Sequence, residues 1–173
     1  MSLLKSIQDG EGKTVEFKVE LPNSNTLAKT IIAFSNTGGG KLIIGVNDQG
    51  EIIGLEPDVN IFELKDKVAS IIYETCYPTV LPDIYTTTID DQLLLIIEVY
   101  RGNLLPYYLK NKGKNEGVYI RVGATNRKAS HENILELERQ RMNISFDQEA
   151  NREVELDSLD ISSLEGGFVR AGK

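Results

Sequence analysis

Three glycines followed by a lysine, at 38–41 within AFSNTGGGKLIIGVNDQGEIIG (33–54), are the residues whose types most directly suggest chemistry. Bare glycine backbone beside an ammonium group can cradle a phosphate. A phosphate loop works because a strand feeds a glycine turn whose N–H groups open a helix, so the positive end of the helix dipole meets the anion. Here the order is reversed. Leu27, Ile31 and Phe34 recur at helical spacing before the glycines, and the apolar run KLIIGV (41–46) follows them as a buried strand. An anion at 38–40 would face free carbonyls and the negative end of the dipole. Lys41 is followed by Leu42 rather than Ser or Thr. The expected role is a helix C-cap with left-handed glycines turning tightly into a strand. One functional use survives: a backbone without side chains lets a neighbouring chain or a nucleic-acid backbone come close, with Asn36 and Thr37 adding polar contacts.

A second group is cationic. Lys110, Lys112, Lys114, Arg121, Arg127 and Lys128 fall within 19 residues against Glu116 alone. Such a patch could track phosphates, with Tyr107, Tyr108 and Tyr119 available to stack on unpaired bases. The plainer alternative is that the tyrosines pack within a sheet and the lysines of KNKGKN solvate a loop. His131 stands alone beside a helix cap and reads as a surface residue. One Cys and one His fall short of the Cys/His donor set that zinc sites use.

The net charge of −7 argues against a polyanion partner, but its distribution softens that objection. Residues 1–145 carry 16 Lys/Arg against 19 Asp/Glu, whereas residues 146–173 carry 3 against 7. Attraction to a polyanion is local once salt screens the rest. With 173 residues, 40% of them hydrophobic, the chain can build one sizeable core. We expect one domain over 1–145 and an acidic tail or linker over 146–173. No apolar run approaches the ~20 residues of a membrane span, and MSLLKSIQDGEGK lacks the apolar centre of a secretory signal. Cys76 sits among apolar residues and reads as a buried thiol. A cytoplasmic protein without a membrane partner is expected.

The elements that must position these residues follow from periodicity. Residues 3–7 suggest a short helix, VEFKVEL (15–21) alternates as a strand, and Ser24 or Asn25 caps a helix to about Thr37. After KLIIGV, the turn NDQG leads to a returning strand EIIGL (51–55). Asn60 caps a helix ending before Pro78. IYTTTI (84–89), Asp90–Asp91 and QLLLIIEV (92–99) form a hairpin. PYYLK and GVYIRVG supply further strands, and Ser130 with Glu132 and Asn133 opens a closing helix through about Arg141. The sum is an α+β fold: a mixed, mostly antiparallel sheet with helices mainly on one face.

Taken in order, EGKTVEFK, IIAFSNTGGGKLIIGVNDQGEIIG, PYYLK, VYIRVGATNRKAS and LERQRMNISFD resemble the Schlafen-type AlbA-like domain over about residues 3 to 147. In bacteria and archaea that domain forms the N-terminal part of proteins read as transcriptional regulators, often ahead of an ATPase-like region and a winged helix. The resemblance implies an α+β domain that binds nucleic acid, DNA or RNA, commonly with self-association into a homo-oligomer. ATP is not implied for this segment. Arg121 and Arg127 match the family's segment, and Lys18, Asn36, Lys110, Lys112, Lys114 and Lys128 complete the expected nucleic-acid-binding set.

In the animal branch the family resembles a metal-dependent endoribonuclease with three acidic residues. Glu11 and Glu16 match its E-x4-E spacing and Asp48 follows GVN, although Asn47 departs from the acidic pair often seen there. The implied role of Glu11, Glu16 and Asp48 is catalytic and metal-ligating, with Mg²⁺ or Mn²⁺ favoured by oxygen donors. Lys18, on the same strand face as Glu16, could steady a phosphate charge. The alternative is structural: Glu16 pairing with a neighbour, Asp48 serving the turn and Glu11 flanking a loop. Three functions stay open: a non-catalytic nucleic-acid-binding module, a metal-dependent ribonuclease, and an oligomerising scaffold.

Overall fold

Alternating residues, capped helices and glycine turns give the elements in chain order. The computed structural model describes residues 2–164, with side chains through 147. The elements are α1 (Leu3–Asp9), β1 (Val15–Lys18), α2 (Ser24–Asn36), β2 (Gly40–Ile44), α3 (Ile61–Thr75), β3 (Cys76–Tyr77) and β4 (Asp83–Ile89). They continue with β5 (Gln92–Val99), β6 (Tyr108–Leu109), α4 (Gly113–Glu116), β7 (Tyr119–Val122), β8 (Thr125–Lys128) and α5 (His131–Leu164). Four strands form one sheet in the order β1-β2-β5-β4. β1 runs parallel to β2, and the other neighbours are antiparallel. β3–β6 and β7–β8 are two small antiparallel ribbons. The expected mixed, mostly antiparallel α+β fold is what the chain adopts.

Because successive strand residues point to opposite faces, the sheet divides its apolar residues between two clusters. Leu42, Ile44, Leu95 and Ile97 pack with α2, with Val68 and Ile72 of α3, and with Ile134 and Leu137 at the start of α5. Phe17, Ile43, Leu94 and Ile96 face the other way, onto Ile7 of α1. Helix α2 is the centre of the molecule. Asn23 caps it by accepting from Thr26 N at 2.8 Å, and every residue at 31–36 is buried.

The glycine run does the job expected of it. Gly39 takes φ +76°, and a Cβ there would stand 2.7 Å from the Val99 carbonyl oxygen. A Cβ on Gly40 would stand 2.6 Å from the Phe34 ring. The helix ends, the chain turns against the end of β5, and β2 leaves.

Three expectations shift. The returning strand at 51–55 shrinks to one bridge, Val46 with Ile52, because Gly45 and Gly54 cross closely: Ile53 N and Gly54 N both donate to the Gly45 carbonyl. Asn23, not Ser24 or Asn25, caps α2. The closing helix continues far past Arg141, since nothing from 131 to 164 is Gly or Pro. The change after Met142 is therefore one of composition rather than of backbone form, and the last part of the expected tail, 165–173, lies outside the described residues.

Two predictions follow from local geometry. Asp90 and Asp91 both take left-handed φ, 52° and 62°, in the β4–β5 turn. Asp91→Gly removes the side-chain cost of that conformation and should raise stability by ~0.5–1 kcal/mol in urea titration. Cys76 is buried, and burial pushes its thiol up to about 11 against weaker opposing pulls from Thr75 and Lys110. A raised folded value contributes stability that is full below the ordinary thiol range and lost as pH rises through about 11. Between pH 8 and pH 11 the wild type should lose ~2–3 kcal/mol more than Cys76→Ala.

Candidate functional site

The β7–β8 hairpin lies across α2 and reaches the exposed edge of β1 through one side chain. Arg121 is 3% exposed, and all five of its N–H donors find acceptors. Nε donates to the Gly12 carbonyl at 3.1 Å, and Nη2 donates to the carbonyls of Gly12 (2.9 Å) and Val15 (3.1 Å). Nη1 donates to Glu16 Oε1 at 2.7 Å and to Asn126 Oδ1 at 2.8 Å. The guanidinium sits 5.1 Å from the Phe34 ring centroid, and Arg121 N donates to Thr37 Oγ1 at 3.1 Å. Asn126 in turn donates to Thr30 Oγ1 of α2 at 2.9 Å. One arginine thus joins the 12–16 turn, the end of α2 and the hairpin.

Arg121 and Asn36 were both expected at the nucleic-acid surface; both are buried, with their polar atoms bonded to partners within the domain. Asn36 Nδ2 donates to the carbonyls of Tyr107 (2.9 Å) and Tyr119 (2.8 Å), while its Oδ1 accepts from Tyr107 N at 2.7 Å. It satisfies backbone groups that the short β6 and β7 leave unpaired, which is the condition for burying a polar side chain. Tyr107, expected as a stacking residue, is buried as well.

The three candidate carboxylates are placed separately. Glu11 Oε1 accepts from Phe17 N at 2.9 Å on the β1 edge. Glu16 is held by Arg121, and its other oxygen lies 3.5 Å from Lys18 Nζ. Asp48 is exposed in a turn that Asn47 organises, its Oδ1 accepting from Gln49 N and Glu51 N. Among the described residues no group of three or more His, Cys, Asp or Glu could hold a metal ion. Glu11 and Glu16 are committed to a backbone N–H and a guanidinium, so the set does not fit Mg²⁺ or Mn²⁺.

The remaining basic residues divide. Lys114 pairs with Glu138 and Lys128 with Glu116. That pairing draws the Glu116 carboxyl below and the Lys128 ammonium above their ordinary values. Lys110 lies 5.9 Å from the Tyr73 ring centroid, Lys112 is exposed before α4, and Arg127 Nε donates to Thr125 Oγ1 at 3.2 Å. Half of the six cations are therefore neutralised by acids, two of which come from outside the 110–128 segment. Lys18 is half-buried beside Glu16.

Sequence reading missed Lys13 and Arg101. Both are exposed and line an open groove of about 380 Å³, with Thr37 and Gly38 at its glycine wall. Ile120 and Leu137 provide apolar lining, the buried Asn36 and Arg121 form part of its floor, and Asn133, Glu136 and Gln140 of α5 complete it. Arg101 donates to Gln140. Register places Arg127 opposite Ile120. Neither missed residue sits in a basic run, so no signal in the chain marks them; turns around 12–15 and 100–102 bring them together.

A sheet closed at one edge by an arginine-bound hairpin, with its helices mainly over one face, is an α+β domain of AlbA-like architecture. The chain belongs to the Schlafen, AlbA_2 family, whose model matches residues 11–130. It is similar in structure to the N-terminal domain of a protein from Nitrosomonas europaea named as a putative ATP-dependent DNA helicase RecG-related protein, solved by NMR. That match has 23% identity and TM-score 0.52, and covers 73% of this chain and 90% of that one. A crystal structure of a Corynebacterium diphtheriae protein is also similar, at 24% identity and TM-score 0.50 over 68% of this chain. This chain spans only 22% of the Corynebacterium protein. No curated protein matches it. Among the described residues no helix is long and apolar enough to cross a membrane.

Arg121 generates the site's first prediction. Arg121→Ala leaves Glu16 and three backbone and side-chain acceptors without their donor, and should cost ~3–5 kcal/mol in urea unfolding. Arg121→Lys, with three donors instead of five, should recover only part of that.

Proposed function

We propose that this chain is a nucleic-acid-binding domain whose contact surface is the groove beside Gly38, rather than the lysines of the 110–128 segment. One observation carries the reading: two exposed cations, Lys13 and Arg101, line an open groove together with a bare glycine backbone. A phosphodiester backbone needs spaced positive charge and close approach, and the groove offers both. Arg127, at the register position opposite Ile120, extends the same surface. Family membership and the likeness to a domain from a DNA-helicase-related protein support a nucleic-acid role and make DNA the first ligand to test. The chemistry is phosphate recognition without sequence readout, in keeping with a domain that anchors a larger regulator-like protein.

Fluorescence anisotropy with labelled single-stranded DNA, duplex DNA and RNA tests this. Three phosphate contacts make affinity fall roughly 40-fold between about 50 and about 200 mM salt. The double variant Lys13→Ala, Arg101→Ala should reduce that fall to roughly 4-fold, with unchanged circular dichroism. Binding absent at low salt, or insensitive to the double variant, would overturn the assignment of this groove.

A further inference from the structure

The two edges of the sheet are treated differently. At β1 the outward groups are occupied: the Val15 carbonyl accepts from Arg121 and Gly12, and Phe17 N donates to Glu11. At β4 nothing among the described residues pairs with the outer side of the strand. The two-residue turn at 90–91 makes Ile89 and Gln92 a hydrogen-bonded pair, so alternation leaves the backbone groups of Ile84, Thr86 and Thr88 pointing outward. The Leu93 carbonyl, which faces away from β4 to accept from Leu55 N, fits that alternation. β4 also lacks the usual protections of an edge: it has no Lys, no Pro and no bulge, and its one charge, Asp83, is at the end.

Beside this edge lies apolar surface. Phe62 is 81% exposed and Leu81 83%, and Tyr73 is exposed as well. Phe62, Ala69 and Tyr73 share one side of α3 at helical spacing, and Ala69, Tyr73, Leu81 and Ile84 line a groove of about 410 Å³. An open strand and an apolar helix flank side by side are two layers of an unfinished interface.

We propose that β4 pairs antiparallel with β4 of a second copy of this chain, joining two sheets into one across a two-fold axis at Thr86. The strand is complementary to itself in that register. Thr86 faces Thr86, Ile84 faces Thr88, and Asp83 faces Ile89, so no like charges lie directly opposite within the strand, while Asp83 sits one position from the partner's Asp90. The outward groups of 84, 86 and 88 on each copy supply matching donors and acceptors. The same two-fold brings the two α3 flanks towards each other over the new junction. This surface is at the opposite edge of the sheet from Arg121, and the inference stands whether or not the groove beside Gly38 binds nucleic acid.

Light scattering of the full chain should give twice the mass of one copy. Thr86→Pro removes one outward N–H without touching the bonds to β5, and should return the mass to one copy with circular dichroism unchanged and a melting temperature that no longer depends on protein concentration. A monomeric wild type, or a dimer that survives Thr86→Pro with its affinity intact, overturns the proposal. If the proline variant unfolds, cysteine placement decides. With Cys76 buried, a short thiol crosslinker should trap Thr86→Cys as a dimer and leave Thr88→Cys largely monomeric, because position 88 faces 84 of the partner. Equal trapping at both positions, or none at either, contradicts the register.

Discussion

The bond between the Arg121 guanidinium and the Glu16 carboxylate is the constraint around which this domain is arranged. β1 is a four-residue strand at the edge of the sheet, and its parallel partner β2 occupies only one side of it. Without a cover, its outer carbonyls and N–H groups would stand open. Arg121 closes that side with neutral carbonyls and one acid, while Glu11 reaches back to the same strand. A buried charge is tolerated only when paired and fully hydrogen-bonded. Here the geometry meets both conditions, and it fixes the hairpin relative to α2 through Asn126 and Thr37.

This arrangement explains why charge counting along the chain misjudged the surface. The segment 110–128 is rich in cations, but Glu16, Glu116 and Glu138 each take one of them. What is left exposed and facing open space comes partly from elsewhere, from Lys13 and Arg101. Two of the carboxylates that resemble a metal triad, Glu11 and Glu16, are in turn occupied by the scaffold. The same residue types that do chemistry on a surface do structural work when a neighbour reaches them first.

The architecture was legible wherever the signal was local. Asn60 and Ser130 cap the helices they precede, Asp90–Asp91 turns its hairpin, and the glycine run ends a helix rather than opening one. The misjudged residues depend on partners far away in sequence. Arg121 meets an acceptor 109 residues distant, and Asn36 meets one 71 distant and another 83 distant. Periodicity carries no information about such meetings. Asn36 did offer a hint, since it ends a run of buried helix positions where an unpartnered amide would be costly. Arg121, between Ile120 and Val122 in a short strand, offered none.

The separation of Glu16 from Arg121 also bears on how the chain is made. Synthesis proceeds from the amino terminus, and β1, α2 and β2 emerge from the ribosome long before the hairpin that shields the first strand. Until the segment around 121–126 has been translated, the edge of β1 lacks the guanidinium and keeps just the local cover of Glu11 and the Gly12 N–H. A nascent chain at that stage presents a docking template to its neighbours on the same messenger. The strand that is finished first is the one completed last.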